Sequence, residues 1–390
     1  MDPRDRVASM CITAHMEPLA RAELVRKCLS SMCVALRFLR PAPRGFVYTV
    51  DPTFPAAARR LVRAAGVRLA TLQSPLLRPD SLPPPLAERL RSRCGSNSSH
   101  ADAERVLTKQ DVHKYAGRLY SFDKLLALQQ AGLRGARRVL WLDADALVVD
   151  RRAATPPTTE SDALLGGMGG TGRDALTGCT VGAVNRRAAC PEGSYAMCEA
   201  QWRRQECGPL NHRRSRAAVE TNAAFLNNGV MFLPAPTHSS AAASDGAVNG
   251  AAGGGGDVYS RMVARLVGGN FSWFRSFPPG ARVAFGDQDI FAYHLAHEEG
   301  CRFVDLGACF AWRAKGMRPC RGPDAPYVVH STFWWRDAAL LAEAGAHLRA
   351  RNCSGWGGAA LSRAETRRLC AHAPLPAQRE VCKRIGSRPQ

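Results

Sequence analysis

Apolar, strand-like segments alternate with helix-like segments through the first third of the chain, and this order constrains the fold most. Predicted strands cover residues 6–14, 45–51 and 67–72, and a fourth lies in the segment 137–150 and ends at its two aspartates. Predicted helices cover 18–32, 55–66 and 121–132. Strands separated by helices favour an α/β fold with a Rossmann-like, mostly parallel sheet flanked by helices. Sheets of this kind bind their ligands at the carboxyl ends of the strands.

The length and composition fit one large domain followed by a tail. The chain has 390 residues, of which 46% are hydrophobic, and this is enough to bury a substantial core. We predict one domain over residues 1–345, which contains a low-complexity loop at 235–256. Residues 346–390 contain cysteines and are predicted to form a C-terminal tail.

The formal net charge of +20 favours an anionic ligand or partner. The arginines are scattered along the chain rather than gathered in a stripe with aromatic residues between them. Binding to nucleic acid through charge alone is one hypothesis, and such binding would weaken steeply with salt. The pattern predicts no specific nucleic-acid partner.

The 14 cysteines include no Cys-x-x-Cys pair, so the usual zinc spacings are missing. Their even number and their clustering late in the chain favour disulfides, and glycosylation sequons begin at Asn97, Asn270 and Asn352. These features predict the Golgi or another secretory lumen. The charged start resembles no signal peptide, and no apolar stretch reaches the ~18 residues of a membrane span. We therefore expect a membrane anchor outside this chain, with a cytoplasmic protein as the alternative.

The apolar segment 137–150 contains two carboxylates, Asp143 and Asp145, on either side of Ala144. A buried charge costs several kcal/mol unless it is paired or bound to a metal. Two carboxylates at the end of a strand suit a hard divalent cation such as Mn²⁺ or Mg²⁺. The alternative is a turn in which the aspartates cap backbone N–H groups.

Two further pairs of polar residues have both a functional and a structural interpretation. Asn227 and Asn228 precede Gly229 inside an apolar segment, either as a hairpin turn or as polar groups on a continuous buried strand. Asp287 and Gln288 begin a predicted helix, where an acidic residue is also an ordinary N-cap.

Two cationic or titratable side chains complete the set of candidates. His330 ends an apolar predicted strand, either as a site residue or as an ordinary core or edge histidine. Lys124 lies among the apolar residues of a predicted helix. It either contacts a phosphate or a sugar hydroxyl, or it extends its ammonium group to solvent.

The order of these motifs resembles glycosyltransferase family 8, the glycogenin-like retaining enzymes with the GT-A fold. The resemblance covers most of the chain, from about Val7 to about Arg336. The segments that carry it are ASMCITAHMEPLARAELVRKCLSS (8–31), YSFDKLLALQQAGLRGARRVLWLDADALVVD (120–150), FLNNGVMFL (225–233), FGDQDIFAYHL (285–295) and YVVHSTFWW (327–335).

The resemblance implies transfer of a hexose or pentose from a nucleotide-sugar, expected to be a UDP-sugar, to a hydroxyl of a glycan, a protein or a small molecule. It implies Mn²⁺ as the cofactor, with Mg²⁺ as the alternative. The implied metal ligands are Asp143, Asp145 and His330. The implied donor-binding residues are Thr13, Ala14, Lys124, Asp143, Ala144, Asp145, Asn227 and Asn228. The implied catalytic residues are Gln288 and Asp287.

The chain also departs from the family pattern. Asn228 stands where the family usually has a serine, and the glycine and lysine that usually follow the histidine are missing unless Arg336 substitutes. A degenerate module that binds a nucleotide-sugar or a glycan without turnover is therefore an alternative. A phosphohydrolase is a further alternative, but it leaves the Asn227 and Gln288 motifs unexplained. Retention by front-face attack and by double displacement are both open.

Overall fold

The computed structural model describes residues 3–13, 18–42, 44–72, 123–133, 135–154, 180–185, 226–234, 257–268, 294–295, 299, 301–307, 309–312, 327–330, 352–353, 356, 364 and 370–371. Ten strands lie in this part of the chain: β1 (Arg6–Cys11), β2 (Phe46–Val50), β3 (Arg68–Thr71), β4 (Val139–Leu142), β5 (Ala146–Val148), β6 (Thr180–Asn185), β7 (Leu226–Leu233), β8 (Arg302–Asp305), β9 (Ala311–Trp312) and β10 (Val328–His330). The helices are α1 (Pro18–Leu39), α2 (Ala56–Ala64), α3 (123–130) and α4 (Val258–Gly268), and a 3₁₀ turn covers Arg151–Ala154.

Seven strands form the main sheet, in the order β3-β2-β1-β4-β7-β6-β8. The first four strands in this order pair in parallel, and β6 pairs in parallel with β8. Strand β7 is antiparallel to both of its neighbours, β4 and β6. The carboxyl ends of β1, β2 and β4 therefore lie along one edge, which we call the carboxyl edge. This arrangement confirms the predicted α/β fold with a mostly parallel sheet flanked by helices.

Three short strands form the small sheet, in the order β5-β10-β9. Strand β10 is antiparallel to β5 and parallel to β9. The predicted end of the strand at the two aspartates is confirmed, because β4 ends at Leu142. The apolar residues that follow form β5, with which the chain leaves the main sheet and enters the small sheet. The physical reason is a tight turn at residues 143–146, where a backbone hydrogen bond joins the Ala146 N–H to the Asp143 carbonyl.

Helix α1 packs its apolar side on the strands, and this packing explains its length. Cys28, Leu29 and Met32 lie in one buried cluster with β-strand residues such as Val7 and Tyr48. The helix continues beyond the predicted end at residue 32, because the apolar series goes on through Cys33, Val34 and Ala35, which are also buried.

The predicted end of α2 at Gly66 is confirmed. Gly66 has a φ of +79°, which glycine adopts without steric cost. Its N–H donates to the Arg63 carbonyl and the Val67 N–H donates to the Val62 carbonyl, the paired bonds of a Schellman C-cap. This cap turns the chain directly into β3. The predicted loop at 235–256 lies outside the described residues.

Two disulfides join α1 to other parts of the chain. Cys28 is bonded to Cys11 at the end of β1, and Cys33 is bonded to Cys353 of the C-terminal tail. Cys33 and Cys353 are fully buried behind the small sheet, in a cluster with residues of β5 and β10. The disulfides predicted from cysteine usage are thus present. None of the helices in the described ranges is long and apolar enough to cross a membrane.

Removal of the Cys33–Cys353 disulfide by a double serine substitution is expected to lower the free energy of unfolding by roughly 3–5 kcal/mol, because this bond joins residues 320 apart in sequence. The matched control removes Cys11–Cys28, whose separation is 17, and should cost less, since a shorter loop loses less entropy on closure. Urea unfolding of both double variants measures the difference. An equal or smaller loss for the Cys33–Cys353 variant would contradict this expectation.

Candidate metal centre

The two aspartates lie where the chain passes from the main sheet to the small sheet, at the carboxyl edge. The Asp143 N–H donates to the Gly229 carbonyl at 2.7 Å, which extends the pairing of β4 with β7 by one residue. The Ala146 N–H then donates to the Asp143 carbonyl at 2.9 Å and closes the turn. Asp143 and Asp145 are thus held on a short, hydrogen-bonded junction between two sheets, with their side chains partly exposed.

His330 reaches this junction through strand pairing. The antiparallel register of β10 with β5 places His330 directly opposite Ala146, the residue after Asp145. His330 Nε2 lies 3.3 Å from Asp145 Oδ1 and 3.8 Å from Asp143 Oδ2. A residue far away in sequence is therefore brought onto the two carboxylates by three residue pairs of one small sheet.

Gly229 provides the space that the His330 ring occupies. A Cβ atom added at position 229 would overlap Cε1, Nε2 and Nδ1 of that ring. The ring therefore packs directly on the β7 backbone. His330 Nδ1 is buried and has no hydrogen-bond partner among the described residues, so packing on Gly229 rather than a bond at Nδ1 orients the imidazole.

Strand β7 is irregular at the same place. Its pairing with β6 shifts between the partners Ala183–Met231 and Val184–Asn227, so Asn228, Gly229 and Val230 are left out of the β6 register. Bulges of this kind redirect side chains next to binding sites. The irregularity places Gly229 under the His330 ring while Val230 keeps its pairing with β4.

One oxygen of Asp143 is already occupied by two donors. Oδ1 accepts the indole N–H of Trp141 at 2.7 Å and lies 2.8 Å from the ammonium nitrogen of Lys124. Trp141 and Lys124 are 1% and 2% exposed, so both donors are desolvated. Asp143 therefore offers Oδ2 to the open side of the site.

Asp145 is held in its charged form by its surroundings. Burial alone would raise its pKa, but the charge and the hydrogen bond of His330, followed by a backbone hydrogen bond and the charge of Lys124, outweigh burial and leave the pKa below its ordinary value. Asp145 is therefore a carboxylate near neutral pH, which is the form that binds a metal.

The three side chains can hold one cation together. Asp143, Asp145 and His330 each offer a ligand atom, and these atoms lie within 4.8 Å of one another. Theirs is the only group of this kind in the described ranges. Two carboxylate oxygens and one imidazole nitrogen form a donor set that suits a divalent transition metal, so these residues fit the metal that the motif predicts.

Thr13, predicted to bind the donor, has its polar atoms committed to neighbouring residues. Its backbone N–H and its hydroxyl both donate to Asp51 Oδ2, and the hydroxyl also lies 3.0 Å from the Thr53 hydroxyl. Thr53 in turn donates its N–H to Asp51 Oδ1 at 2.7 Å. This network joins the ends of β1 and β2, and donor contact by Thr13 stays a prediction.

Asp51 was missed by the sequence reasoning. It is fully buried and follows β2 directly, as Asp143 follows β4. The same signal, a carboxylate at the end of an apolar strand, would have identified it. Its carboxylate accepts four hydrogen bonds, from the N–H and the hydroxyl of Thr13 and of Thr53, and these bonds hold the ends of β1 and β2 together at the carboxyl edge.

Of the predicted site residues Ala14, Asn227, Asn228, Asp287 and Gln288, only the backbone of the two asparagines lies in the described part of the chain. The segment around Asn227 and Asn228 is part of the continuous strand β7, so the strand interpretation is confirmed over the hairpin. The side chains of these two asparagines, and all of Ala14, Asp287 and Gln288, lie outside the described residues. Their roles stay predictions.

Ala144 and Lys124, two of the predicted donor-binding residues, lie beside the candidate metal ligands. Ala144 lies in the turn and packs against the buried core. The ammonium group of Lys124 contacts Asp143 instead of extending to solvent.

The chain matches no protein-family model and no curated protein. Its fold is similar to that of apo mouse xyloside xylosyltransferase 1, with a TM-score of 0.41 and 16% identity over 84% of this chain and 98% of that one. It is also similar to the galactosyltransferase LgtC in complex with donor and acceptor sugar analogues, with a TM-score of 0.39 and 13% identity over 89% of this chain and 99% of LgtC. A third similar structure is that of the apo bifunctional glycosyltransferase WbbM, with a TM-score of 0.44 and 11% identity over 99% of this chain and 52% of WbbM. At these values the similarities carry no argument about the activity of this chain.

Gly229→Ala is expected to displace the His330 ring and to lower the affinity for Mn²⁺, because the new methyl group overlaps three ring atoms. Forced overpacking of this kind also costs roughly 1–3 kcal/mol of stability. Calorimetric titration with Mn²⁺ and thermal unfolding measure the two effects.

The matched control is the same substitution in a His330→Ala background. The overlap is absent there, so Gly229→Ala should cost much less stability than in the native chain. An equal cost in both backgrounds would show that the ring does not occupy this space.

Proposed function

We propose that the protein is a metal-dependent retaining glycosyltransferase that moves a hexose or pentose from a UDP-sugar to an acceptor hydroxyl. The observation that carries this proposal is the convergence of Asp143, Asp145 and His330 at the carboxyl edge of a mostly parallel sheet. This edge is where open α/β sheets bind their ligands. The motif resemblance to glycosyltransferase family 8 assigns the same three residues to the metal.

The charges of the site explain why such a reaction needs a cation. Asp143, Asp145 and Lys124 together carry one net negative charge when His330 is neutral, so these residues alone would repel a diphosphate. A divalent cation reverses this sign and neutralises the charge that develops on the leaving diphosphate. The buried ammonium group of Lys124 offsets the negative charge of Asp143, so the site carries only a weak net negative charge before a cation binds.

The ligand set favours Mn²⁺ over Mg²⁺. Imidazole is a better ligand for Mn²⁺ than for Mg²⁺, which prefers oxygen and keeps its waters. His330 lies close enough to both carboxylates to share a cation with them. We therefore propose Mn²⁺ as the cofactor and Mg²⁺ as a weaker substitute.

The remaining roles rest on the motif resemblance. Asn227 would line the donor-sugar pocket, and Gln288 would stabilise the oxocarbenium-like state during a front-face attack. In a double displacement, Asp287 would act as the nucleophile. Gln288→Ala is expected to reduce kcat more than donor affinity, and a pure affinity loss would assign Gln288 to binding instead. Steady-state kinetics together with calorimetric donor binding distinguish the two results.

The disulfides support a secretory location. Cys11–Cys28 and Cys33–Cys353 are buried bonds of the kind that persist in oxidising compartments. We therefore propose the Golgi or another secretory lumen as the place where the protein acts, with a glycan, a protein or a small molecule as the acceptor.

The direct test is release of free nucleoside diphosphate from a panel of nucleotide-sugars, with Mn²⁺ or with EDTA. We expect one UDP-sugar to be turned over and EDTA to stop its release. Calorimetric binding of UDP serves as the companion measurement. Mn²⁺-dependent UDP binding without release from any donor, in the presence of candidate acceptors, would support the degenerate binding module. If no nucleoside diphosphate were released and UDP showed no Mn²⁺-dependent binding, the result would contradict both the transferase and the degenerate binding module.

Asp145→Asn is expected to reduce Mn²⁺-dependent turnover by roughly 10²-fold or more, because it removes a charged ligand while the Lys124–Asp143 ion pair stays intact. Asp143→Asn should abolish turnover as well, and its amide oxygen can still accept from Trp141. The matched control is Asp150→Asn, which removes a carboxylate paired with Arg152 outside the site. Turnover is measured beside thermal unfolding for all three variants. Unchanged turnover in the Asp145 variant would remove the metal assignment.

A further inference from the structure

The contacts of Asp143 divide its carboxylate into two unequal oxygens. Oδ1 receives both buried donors, the Trp141 indole N–H at 2.7 Å and the Lys124 ammonium at 2.8 Å. Oδ2 is the oxygen nearest to His330, at 3.8 Å from Nε2. The carboxylate therefore cannot rotate without breaking two short, charge-assisted contacts, which are stronger than neutral hydrogen bonds.

Trp141 is fixed by the main sheet itself. It lies in β4 between Ala8 of β1 and Met231 of β7 and is 1% exposed. Residues two apart on an extended chain project to the same side, so Trp141 points its indole toward the side chain of Asp143. A buried indole N–H requires an acceptor, and Asp143 Oδ1 is that acceptor.

Lys124 and Trp141 also contact each other. The Lys124 ammonium nitrogen lies 5.6 Å from the centroid of the Trp141 ring, within the range of a cation–π interaction. The indole thus orients the lysine that shares its acceptor. Loss of the indole N–H would leave Oδ1 with one donor and allow the carboxylate to turn.

We propose that Trp141 is a positioning residue that fixes Asp143 so that Oδ2 alone faces the cation. This role rests on the proposed metal centre, but it does not depend on the transferase activity. Its consequence is metal selectivity. Ca²⁺ binds six to eight oxygens and often takes both oxygens of a carboxylate, whereas a smaller ion takes one. A carboxylate whose second oxygen is held by Trp141 and Lys124 therefore disfavours Ca²⁺ relative to Mn²⁺.

The test is the ratio of Mn²⁺ to Ca²⁺ affinities of Trp141→Phe, measured by calorimetric titration with the metals alone. Phenylalanine keeps an aromatic ring in the strand and removes only the N–H donor and part of the ring. We expect Mn²⁺ affinity to fall by about tenfold, as for other groups that orient metal ligands, and Ca²⁺ affinity to fall less. The Mn²⁺ to Ca²⁺ ratio should therefore decrease.

The matched control is Trp356→Phe, which removes an indole N–H from a tryptophan packed against the cluster that contains the Cys33–Cys353 disulfide. Its Mn²⁺ to Ca²⁺ ratio should equal that of the native chain. An unchanged ratio in Trp141→Phe, including an equal loss of both affinities, would overturn the positioning role and leave Trp141 a purely structural residue. A native chain that binds neither metal would overturn the metal centre itself, which is a distinguishable result.

Discussion

The pairing of β5 with β10 is the interaction on which the candidate site depends. Three residue pairs bring His330 next to Asp145, and the turn at 143–146 supplies β5 for that pairing. The main sheet fixes Asp143 on one side of the turn, through β4 and β7. Neither sheet holds the three candidate ligands alone, so the candidate site exists only where the two sheets meet. The Cys33–Cys353 disulfide packs behind β5 and β10 and supports this junction from the side opposite the ligands.

Charge compensation at the junction follows one principle throughout. Each buried or half-buried carboxylate has a partner, as expected when an uncompensated charge in a low-dielectric environment costs several kcal/mol. Asp143 faces Lys124 and Asp145 faces His330. At the end of β2, the carboxylate of Asp51 accepts hydrogen bonds from backbone and hydroxyl donors. The difference is functional in our account, because Asp143 directs Oδ2 toward His330, whereas both oxygens of Asp51 accept hydrogen bonds.

Much of the fold could be predicted from the sequence, since it depends on local patterns. Strand-like runs, helix-like spacing and Gly66 were sufficient to predict β1, β2, β3 and α2. The end of β4 at the aspartates could be predicted, but the place of β5 in a second sheet could not, because it depends on pairing with the distant strand β10. Asp143 and Asp145 were identified as metal-ligand candidates from two carboxylates at the end of an apolar strand, and His330 was added by the resemblance between motifs. Trp141 was missed, since a hydrogen bond from a core tryptophan leaves no periodic signal. Asp51 was missed although it carries the same signal as Asp143, a carboxylate at the end of an apolar strand.

The central claim is that one divalent cation binds to Asp143, Asp145 and His330 beside a nucleoside diphosphate. The most direct measurement is anomalous diffraction at an energy where manganese scatters strongly, from crystals grown with MnCl₂ and UDP. Our account predicts a single strong anomalous peak bonded to these three side chains and in contact with the diphosphate. Bound UDP with no peak at this position, or with the peak coordinated by other residues, would contradict it.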